Sequence, residues 1–405
     1  MSDENNTRIS KRIALIKPSP TMAITKLAAE MKAEGKNVIG LGAGEPDFDT
    51  PNHIKEAAIQ AINEGKTKYT PVDGTPELKI AVSKKFKKDN DLDYNTEEII
   101  ISVGGKHVLF NALLSSLNPE DEVIIPSPYW VSYPDMVLLS GGNPVIVEGK
   151  PENHFKILPH QLEEKISKKT KWLIINSPSN PTGTVYSKQE LIDIGEVLKK
   201  YEHVGVITDD IYEKIIYDDK VFFNIVQLVP ELRNRTITVN GVSKAYSMTG
   251  WRIGYAGGPS ELIKAMGKLQ SQSTSNASSI SQAAALQALE GSEDFLIERN
   301  SKFKLRRDMV VSRLNDCEGI SCNMPHGAFY VFPSCQDIIG LRTPNGKFIN
   351  NSIDFSSYLL ESKGLAIVPG SAFGCEGFFR ISYATSEKIL EDALIRIKEA
   401  CSLLS

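Results

Sequence analysis

The stretch KWLIINSPSNPTGTVYSKQELIDIGEVLKKYEHVGVITDD (171–210) predicts the fold of this chain. Its two ends, 171–176 and 203–210, are short apolar runs of the kind that form strands buried on both faces. Between them, 189–201 spaces its apolar residues at the interval of a helix. A strand, a helix and a second strand in this order form a βαβ unit with parallel strands. The stretch therefore predicts a parallel sheet covered by helices.

The same alternation continues on both sides of that unit. Strands are predicted at 97–103, 121–126 and 235–240, and a helix at 109–117. Apolar strands that alternate with helices are typical of an α/β protein with a mainly parallel central sheet. The sequence thus predicts an α/β fold in which this sheet forms the centre of a large domain.

The last hundred residues follow another pattern. A charged helical stretch at about 293–315 leads into three strand-like segments, and a final helix is predicted at about 386–403. The segments are GAFYVFP (327–333), GLAIVPGSAFG (364–374) and FFRISYA (378–384). Strands and helices that are segregated in this way indicate a smaller α+β domain.

We expect two domains. The large domain covers 53–300, and the smaller one combines 1–52 with 301–405. The polar segment 334–352 contains glycine and proline and is predicted to be a surface loop. Residues 8–17 are expected to form an arm that packs on the fold, because acidic residues precede them and weigh against a transit peptide.

The composition excludes several classes of protein. The 405 residues include 50 acidic and 46 basic side chains, whereas a nucleic-acid binder carries a clustered basic excess. No apolar run approaches the ~18 residues of a membrane helix. Five cysteines without a C-x-x-C pair fit a reducing cytoplasm, and six histidines without an H-E-x-x-H pattern predict no metal site. We therefore expect a cytoplasmic protein with small-molecule partners, no nucleic acid and no membrane.

Chemically distinctive residues follow the predicted strands. In parallel α/β sheets, ligands bind where the strands end, so residues after the strands meet at one edge. The segments that follow are GGK (104–106), SPYW (127–130), SPSNPTG (177–183), DDIY (209–212) and GVSKAYSMTGWR (241–252). This edge collects glycines, cations, a carboxylate, an amide and aromatic rings.

Part of this set suits a phosphate group. A phosphate binds to N–H groups at the start of a helix, which Gly105 and Lys106 provide, and to nearby cations. Ser243 and Arg252 add a hydroxyl and a guanidinium.

The rest of the set suits the ring of pyridoxal phosphate. Lys244 can form the Schiff base with the aldehyde, and Asp209 can keep the pyridine nitrogen protonated. Asn180 and Tyr212 can donate to the ring oxygen, and Trp130 can cover the ring face. The sequence therefore predicts pyridoxal 5'-phosphate as the cofactor.

At these residues the chain resembles the class I aminotransferases of pyridoxal-phosphate fold type I, in particular the bacterial aspartate aminotransferase subgroup. The resemblance covers nearly the whole chain, and nine segments in order make it specific. They are KPSPTMAI (17–24), GAGEPDFDTP (42–51), KYTPVDGTPEL (68–78), GGK (104–106), SPYWVSYP (127–134), SPSNPTG (177–183), DDIYE (209–213), SKAYSMTGWRIGY (243–255) and FRISYATS (379–386).

The resemblance implies roles for individual residues. Lys244 is the catalytic residue that moves the proton between the substrate Cα and the cofactor. Arg380 binds the substrate α-carboxylate, helped by Asn180 and the backbone of Gly44, with Trp130 beside them. A further residue, Tyr69, is similar to a tyrosine that reaches the phosphate of a neighbouring subunit, which implies a homodimer.

The substrates follow from the same resemblance. Lys106 is expected to face a distal carboxylate, and in the resembling subgroup it accompanies Thr21 with acidic substrates. Some members with residues like Lys17, Thr21 and Lys106 also transaminate prephenate. The resemblance therefore implies transfer of the amino group of L-aspartate to 2-oxoglutarate, which gives oxaloacetate and L-glutamate, with prephenate as a further substrate.

Two other functions remain open at this point. A carbon–sulfur β-lyase of fold type I would share the cofactor site and would release pyruvate without a 2-oxo acid acceptor. A regulator that uses an aminotransferase-like domain as a ligand sensor would need a DNA-binding module. The stretch before Lys17 is short and lacks a helix-turn-helix pattern.

Overall fold

The central sheet predicted from the sequence is present. A computed structural model describes residues 8–16 and 20–405. Its strands are β1 (Ile39–Gly40), β2 (Ile99–Ser102), β3 (Glu122–Ser127), β4 (Asn143–Glu148), β5 (Thr170–Asn176), β6 (Gly205–Asp209), β7 (Thr236–Gly241), β8 (Gly254–Gly257), β9 (Tyr330–Val331), β10 (Leu365–Ala366), β11 (Val368–Pro369) and β12 (Phe379–Ser382). Seven strands form the sheet in the order β2-β8-β7-β6-β5-β3-β4. Within it, β8 runs antiparallel to β2 and β7 and the other pairings are parallel, which confirms the α/β, mainly parallel prediction.

Helices cover the sheet and connect its strands. The described helices are α1 (Pro20–Ala33), α2 (Asn52–Asn63), α3 (Pro76–Asn90), α4 (Gly105–Ser116), α5 (Ser132–Leu139), α6 (Pro159–Lys165), α7 (Lys188–Lys199), α8 (Ile225–Leu228), α9 (Ser260–Ser273), α10 (Ser279–Glu290), α11 (Phe295–Asn315), α12 (Ser352–Lys363) and α13 (Glu387–Cys401). Local chemistry sets their starts, as α7 shows. The Ser187 hydroxyl accepts from the Glu190 N–H at 3.4 Å, and the Glu190 carboxylate accepts from the Ser187 N–H at 2.7 Å. This reciprocal cap satisfies two N–H groups that the helix cannot pair itself.

Successive residues of the strands pack on opposite faces of the sheet. In β2, Ile99 and Ile101 join the cluster under α3 and α10, whereas Ile100 joins the cluster under α4 and α9. In β6, Val206 joins the first of these clusters and Ile207 joins the second. Burial of each such side chain contributes about 1.5–3 kcal/mol, so these uninterrupted apolar runs hold two helical layers on one sheet.

The two ends of the chain form smaller sheets. Strand β1 pairs with β10 in parallel, and β11, β12 and β9 form an antiparallel sheet. Their core includes Phe329, Phe355 and Phe379. This arrangement supports the proposed division into 53–300 and the combined chain ends, although α11 runs through the boundary at residue 300.

The prediction of a polar surface loop at 334–352 is wrong in part. Its residues form a 3-10 turn at Gln336–Ile338, and Cys335, Ile338 and Ile349 are buried. These three apolar side chains anchor the segment to the core, since their burial outweighs the polar character of the residues around them.

The first described residues lie on the large sheet's helical layer. Ile13–Leu15 forms a 3-10 turn beside α5, but Ile13 and Leu15 are half exposed, so an arm that packs on the fold stays a prediction. In residues 8–16 and 20–405, no helix has the length and apolar character that crossing a membrane requires. All five cysteines are free thiols.

Candidate active site

A cavity of about 520 Å³ lies at the carboxyl edge of the central sheet. Strand register brings the ends of β5, β6 and β7 together there, because Asn176 pairs with Asp209 and Asp209 with Val239. The residues around it come from the ends of β2, β3, β5, β6 and β7 and from both chain ends. They include Gly44, Glu45, Gly105, Lys106, Trp130, Tyr133, Asn180, Asp209, Tyr212, Ser243, Lys244, Arg252, Tyr330 and Arg380.

Lys244 follows β7 and extends into this cavity. Its Nζ donates to the backbone oxygen of Gly44 at 2.6 Å and lies 5.9 Å from the ring centre of Tyr212. Burial lowers the pKa of Lys244 to about 8, and the nearby charge of Arg252 acts in the same direction. A substantial fraction of this amine is therefore neutral near pH 8, as a nucleophile or base requires.

Asp209 is the last residue of β6 and is buried. Burial raises the pKa of its carboxyl to about 6, while a hydrogen bond from the Tyr133 hydroxyl at 2.6 Å opposes that shift. The Asn176 side chain donates to the Asp209 backbone oxygen at 2.8 Å. These contacts hold one acidic group at the base of the cavity.

Tyr212 lies three residues after Asp209 at the same edge. Its hydroxyl forms a hydrogen bond with the hydroxyl of Tyr330 at 2.8 Å, and both rings are buried. Tyr330 belongs to β9, so this bond joins the large sheet to the sheet formed by the chain ends. A Cβ at Gly44 would lie 2.7 Å from the Tyr330 hydroxyl, which explains why a glycine is needed there.

Arg380, in β12, is 2% exposed and has an unused donor. Its Nη1 donates to Asn180 Oδ1 at 2.8 Å and its Nη2 donates to the Gly42 backbone oxygen. Among the described atoms, its buried Nε has no hydrogen-bond partner. Burial lowers the pKa of Arg380, although a guanidinium stays charged at neutral pH. A buried cation with a free donor is suited to a carboxylate from outside the protein.

The start of α4 forms a concave site for an anion. Gly104 is the N-cap with φ +84°, and a Cβ there would lie 2.3 Å from Nη2 of Arg252. Because Gly104 has no side chain to accept their hydrogen bonds, the first N–H groups of α4 remain available. A Cβ at Gly105 would meet open space, and the buried Ser243 lines the same cavity. This site fits a phosphate group.

Trp130 and Lys106 face each other across one side of the cavity. The Lys106 Nζ lies 4.8 Å from the ring centre of Trp130, and Tyr133 packs edge-on at 5.4 Å. Burial lowers the pKa of Lys106, as does repulsion from Arg252. Besides Lys244, the cavity is lined by three cations, Lys106, Arg252 and Arg380.

Comparison with known proteins decides the family. The profile of the family Aminotransferase class I and II matches residues 36–397. The chain belongs to this family. The resemblance that its nine sequence segments indicate is therefore confirmed.

Relatives of this aminotransferase share its full length. A probable aspartate/prephenate aminotransferase of Rickettsia felis is 56% identical over 98% of this chain and 97% of its own. The aspartate/prephenate aminotransferase of Cereibacter sphaeroides is 54% identical over 98% of this chain and 99% of its own. Such similarity along the whole chain extends the family match beyond the catalytic segments.

Solved structures agree with the fold of this aminotransferase. The aspartate aminotransferase from Rhizobium meliloti superposes with a TM-score of 0.96 at 54% identity, covering 98% of this chain and all of that one. The Thermus thermophilus aspartate aminotransferase with maleate superposes with a TM-score of 0.90 at 42% identity, covering 97% of this chain and 99% of that one. The predicted fold type I is confirmed.

Three predicted site residues of the aminotransferase are not placed in the cavity. Tyr69 is 92% exposed, so its predicted contact with a neighbouring subunit stays a prediction. Lys17 lies outside the described residues, as does the side chain of Thr21, which belongs to α1. Their roles toward a substrate are predictions as well.

Two aromatic residues of the site were missed by sequence reasoning. Tyr133 lies in SPYWVSYP and Tyr330 in GAFYVFP, so both belong to segments that the sequence singled out. Their hydroxyls act on Asp209 and Tyr212 across distances of 76 and 118 positions along the chain. Buried tyrosine hydroxyls require partners, and that requirement was the available signal.

Proposed function

We propose that this aminotransferase uses pyridoxal 5'-phosphate to transfer the amino group of L-aspartate to 2-oxoglutarate, which yields oxaloacetate and L-glutamate. One observation carries the proposal. A single cavity is lined by Lys244, an amine with a lowered pKa, and by the cations Arg380 and Lys106. With Arg252 assigned to the cofactor's phosphate, Arg380 and Lys106 are two further cations, which suits a substrate with two carboxylates.

The residues of the cavity fit the cofactor that the family implies. The N–H groups of α4, with Ser243 and Arg252, would hold its phosphate, and Trp130 would cover its ring. Asp209 would hold the proton on the ring nitrogen. When bound, pyridoxal phosphate supplies an aldehyde that links to amines and a protonated ring that accepts electrons released at the substrate Cα.

The protein's own groups bind the substrate and move protons. Arg380 binds the α-carboxylate, and its Asn180 contact keeps the guanidinium plane in place. Lys244 Nζ takes the proton from the substrate Cα and later returns it, which a pKa of about 8 permits near neutral pH. The hydroxyl of Tyr212 would donate to the ring oxygen in addition to pairing with Tyr330.

The choice of substrates rests on Lys106 and on the relatives. A distal carboxylate would bind Lys106, and the Thermus thermophilus structure named above was solved with maleate, a dicarboxylate. Relatives at 54–56% identity are named aspartate/prephenate aminotransferases, so we propose prephenate as a further amino acceptor. We also propose a cytoplasmic homodimer in which Tyr69 reaches the partner's phosphate site.

The absorption spectrum of the purified protein tests the proposed function. A visible band of bound cofactor should fade when L-aspartate is added and return when 2-oxoglutarate follows. Steady release of pyruvate from a sulfur amino acid, without an acceptor, would instead identify a β-lyase. Binding of amino acids without any turnover would favour a ligand sensor, and a protein that takes up no cofactor would contradict the whole proposal.

Replacing Lys106 with Ala should lower kcat/KM for aspartate by about 10- to 150-fold. Loss of one hydrogen bond to a charged group costs about 1.5–3 kcal/mol, which corresponds to that range. Steady-state kinetics with aspartate and with alanine measure the effect, because alanine has no distal carboxylate. If both donors lose activity equally, Lys106 serves the cofactor and the assignment to the distal carboxylate is wrong.

Replacing Tyr133 with Phe should raise the pKa of Asp209 above about 6, because the lost hydrogen bond favours the charged carboxylate. The neutral fraction of Asp209 then grows at neutral pH. We expect kcat to fall about 2- to 15-fold near pH 7, because a hydrogen bond to a charged group is worth about 1.5–3 kcal/mol, and to recover as the pH rises. The pH profile of kcat measures this shift of the acidic limb.

A matched control for Tyr133 exists in this chain. Tyr358 is also a buried tyrosine, and its hydroxyl donates to the Ala400 backbone oxygen at 3.0 Å, among the C-terminal helices. Tyr358→Phe removes a comparable hydrogen bond and should leave the pH profile unchanged. An identical acidic limb in Tyr133→Phe and the unmodified enzyme would disprove the role of Tyr133.

A further inference from the structure

Two residues in the catalytic segments have no part in the proposed reaction. Glu213 ends the segment DDIYE (209–213), and Tyr246 follows Lys244 by two positions. Both are 9% exposed or less, yet neither lines the cavity. Polar groups that are buried beside a site without entering it need partners elsewhere.

Glu213 finds its partners at the end of α3. Its carboxylate forms an ion pair with Lys85 and accepts from the Asn90 side chain at 2.8 Å. The Lys85 Nζ in turn donates to Asn90 Oδ1 at 2.7 Å. The side chains of Lys85 and Glu213 are only 4% and 6% exposed. This triangle ties the segment that presents Asp209 to one helix end.

A second set of contacts continues from the same helix end. Lys214 Nζ lies 2.8 Å from Asp89 Oδ2 and 2.8 Å from Glu293 Oε1. Glu293 also accepts a hydrogen bond from the Tyr246 hydroxyl. The chain of contacts therefore runs from α3, through Lys214 and Glu293, to the loop that carries Lys244.

Tight turns connect these contacts to the catalytic side chains. The Glu213 N–H donates to the Asp210 oxygen at 2.9 Å, directly after Asp209. On the other loop, the Met248 N–H donates to the Ser243 oxygen at 3.1 Å and encloses Lys244 and Tyr246. Within such turns a displacement of Glu213 or Tyr246 moves the neighbouring catalytic residue.

We propose that these residues form an anchor cluster that holds the Asp209–Tyr212 loop and the Lys244 loop in register. The cluster consists of Lys85, Asp89, Asn90, Glu213, Lys214, Tyr246 and Glu293. Its members are positioning residues, since none lines the cavity. The inference rests on the proposed function, because it assigns Lys244 and Asp209 to one reaction.

The energetics of buried ions agree with a positioning role. Removing two charges from water costs much of what their attraction returns, so buried ion pairs are weak sources of stability. They do impose one geometry, since a displaced partner leaves a charge unpaired. Because small misplacements of reacting groups can cost large factors in rate, the cluster should affect kcat more than stability.

Tyr246→Phe tests the anchor cluster, because it removes the bond to Glu293 and keeps the ring that packs near Phe295 at 6.1 Å. We expect kcat to fall about 5- to 10-fold with KM for aspartate within about 2-fold. The dissociation constant of pyridoxal phosphate should rise, and the pH midpoint of the bound cofactor's visible band should move. Tyr358→Phe, the control above, should change none of these while lowering the melting temperature comparably.

A second variant shows whether Tyr246 acts through Glu293. Residues that act along one path are not additive, so Tyr246→Phe should have no further effect on kcat in a Glu293→Ala background. Full additivity, or a Tyr246→Phe enzyme indistinguishable from Tyr358→Phe in kcat and spectrum, overturns the inference. Failure of the unmodified enzyme to respond to aspartate would overturn the proposed function instead, since every comparison here starts from an active enzyme.

Discussion

Transamination should cease when Lys244 is replaced with Ala, with kcat lower by more than about 10⁴-fold. General acid–base catalysis by one side chain contributes 10²–10⁴-fold on its own, and this lysine also has to attach the cofactor. No other described group occupies its position, where Nζ meets the Gly44 oxygen at 2.6 Å. The expected loss is therefore the largest of any single substitution in this chain.

Lys244→Arg separates the chemistry of this lysine from its charge. An arginine keeps the positive charge but does not deprotonate in proteins, so it can neither attack an aldehyde nor take a proton. We expect it to be as inactive as Lys244→Ala. The activity of both variants is measured as the fading of the cofactor's visible band in a single turnover with excess aspartate. The control is Lys268→Ala, because Lys268 is an exposed residue of α9. Turnover by Lys244→Arg above a few per cent of normal would contradict the assignment.

The parts of the fold that the sequence predicted are those that depend on local patterns. The long apolar runs of β2, β3, β5, β6 and β7 were found with ends that differ by a residue or two. Strands β4 and β8 were missed. β4 begins with Asn143 and Pro144, and β8 contains two glycines, all of which are depleted in strands. Strand β8 forms because its neighbours bury it, whereas β4 is an edge strand that forms by pairing with β3 and buries only Val147. Both depend on tertiary context that a local pattern does not contain.

The residues of the site also divide into those that a local pattern predicts and those that it does not. Lys244, Asp209 and Arg252 could be placed because each follows a predicted strand, and parallel strands bring their ends together. The contact between Lys244 and Gly44 spans 200 positions and joins the loop after β7 to the N-terminal part of the chain. No strand pattern indicates such a contact. The same holds for Tyr330, whose hydroxyl reaches Tyr212 only because β9 lies across the cavity.

Replacing Arg380 with Ala should lower kcat/KM for aspartate by about 10²–10³-fold. Truncating one partner of a buried, hydrogen-bonded charge pair costs about 2–5 kcal/mol, and the substrate α-carboxylate would lose that partner. Arg380 is suited to this contact because its Nε is buried without a described partner while its other nitrogens are held by Asn180 and Gly42. Its stacking over Tyr330 at 4.6 Å fixes the plane in which a carboxylate must approach.

Binding of maleate distinguishes a lost substrate contact from a damaged site. Arg380→Ala should weaken the binding of maleate by a similar factor. The cofactor's dissociation constant should change little, because Arg380 has no place in the phosphate site. Arg380→Lys keeps a charge but loses the planar guanidinium. Its affinity for maleate should therefore lie between that of Arg380→Ala and that of the natural enzyme. If Arg380→Lys matches the natural enzyme, charge alone suffices and the planar guanidinium is not required. If maleate binds Arg380→Ala normally, the α-carboxylate lies elsewhere in the cavity, and Lys106 is the cation that remains to hold it.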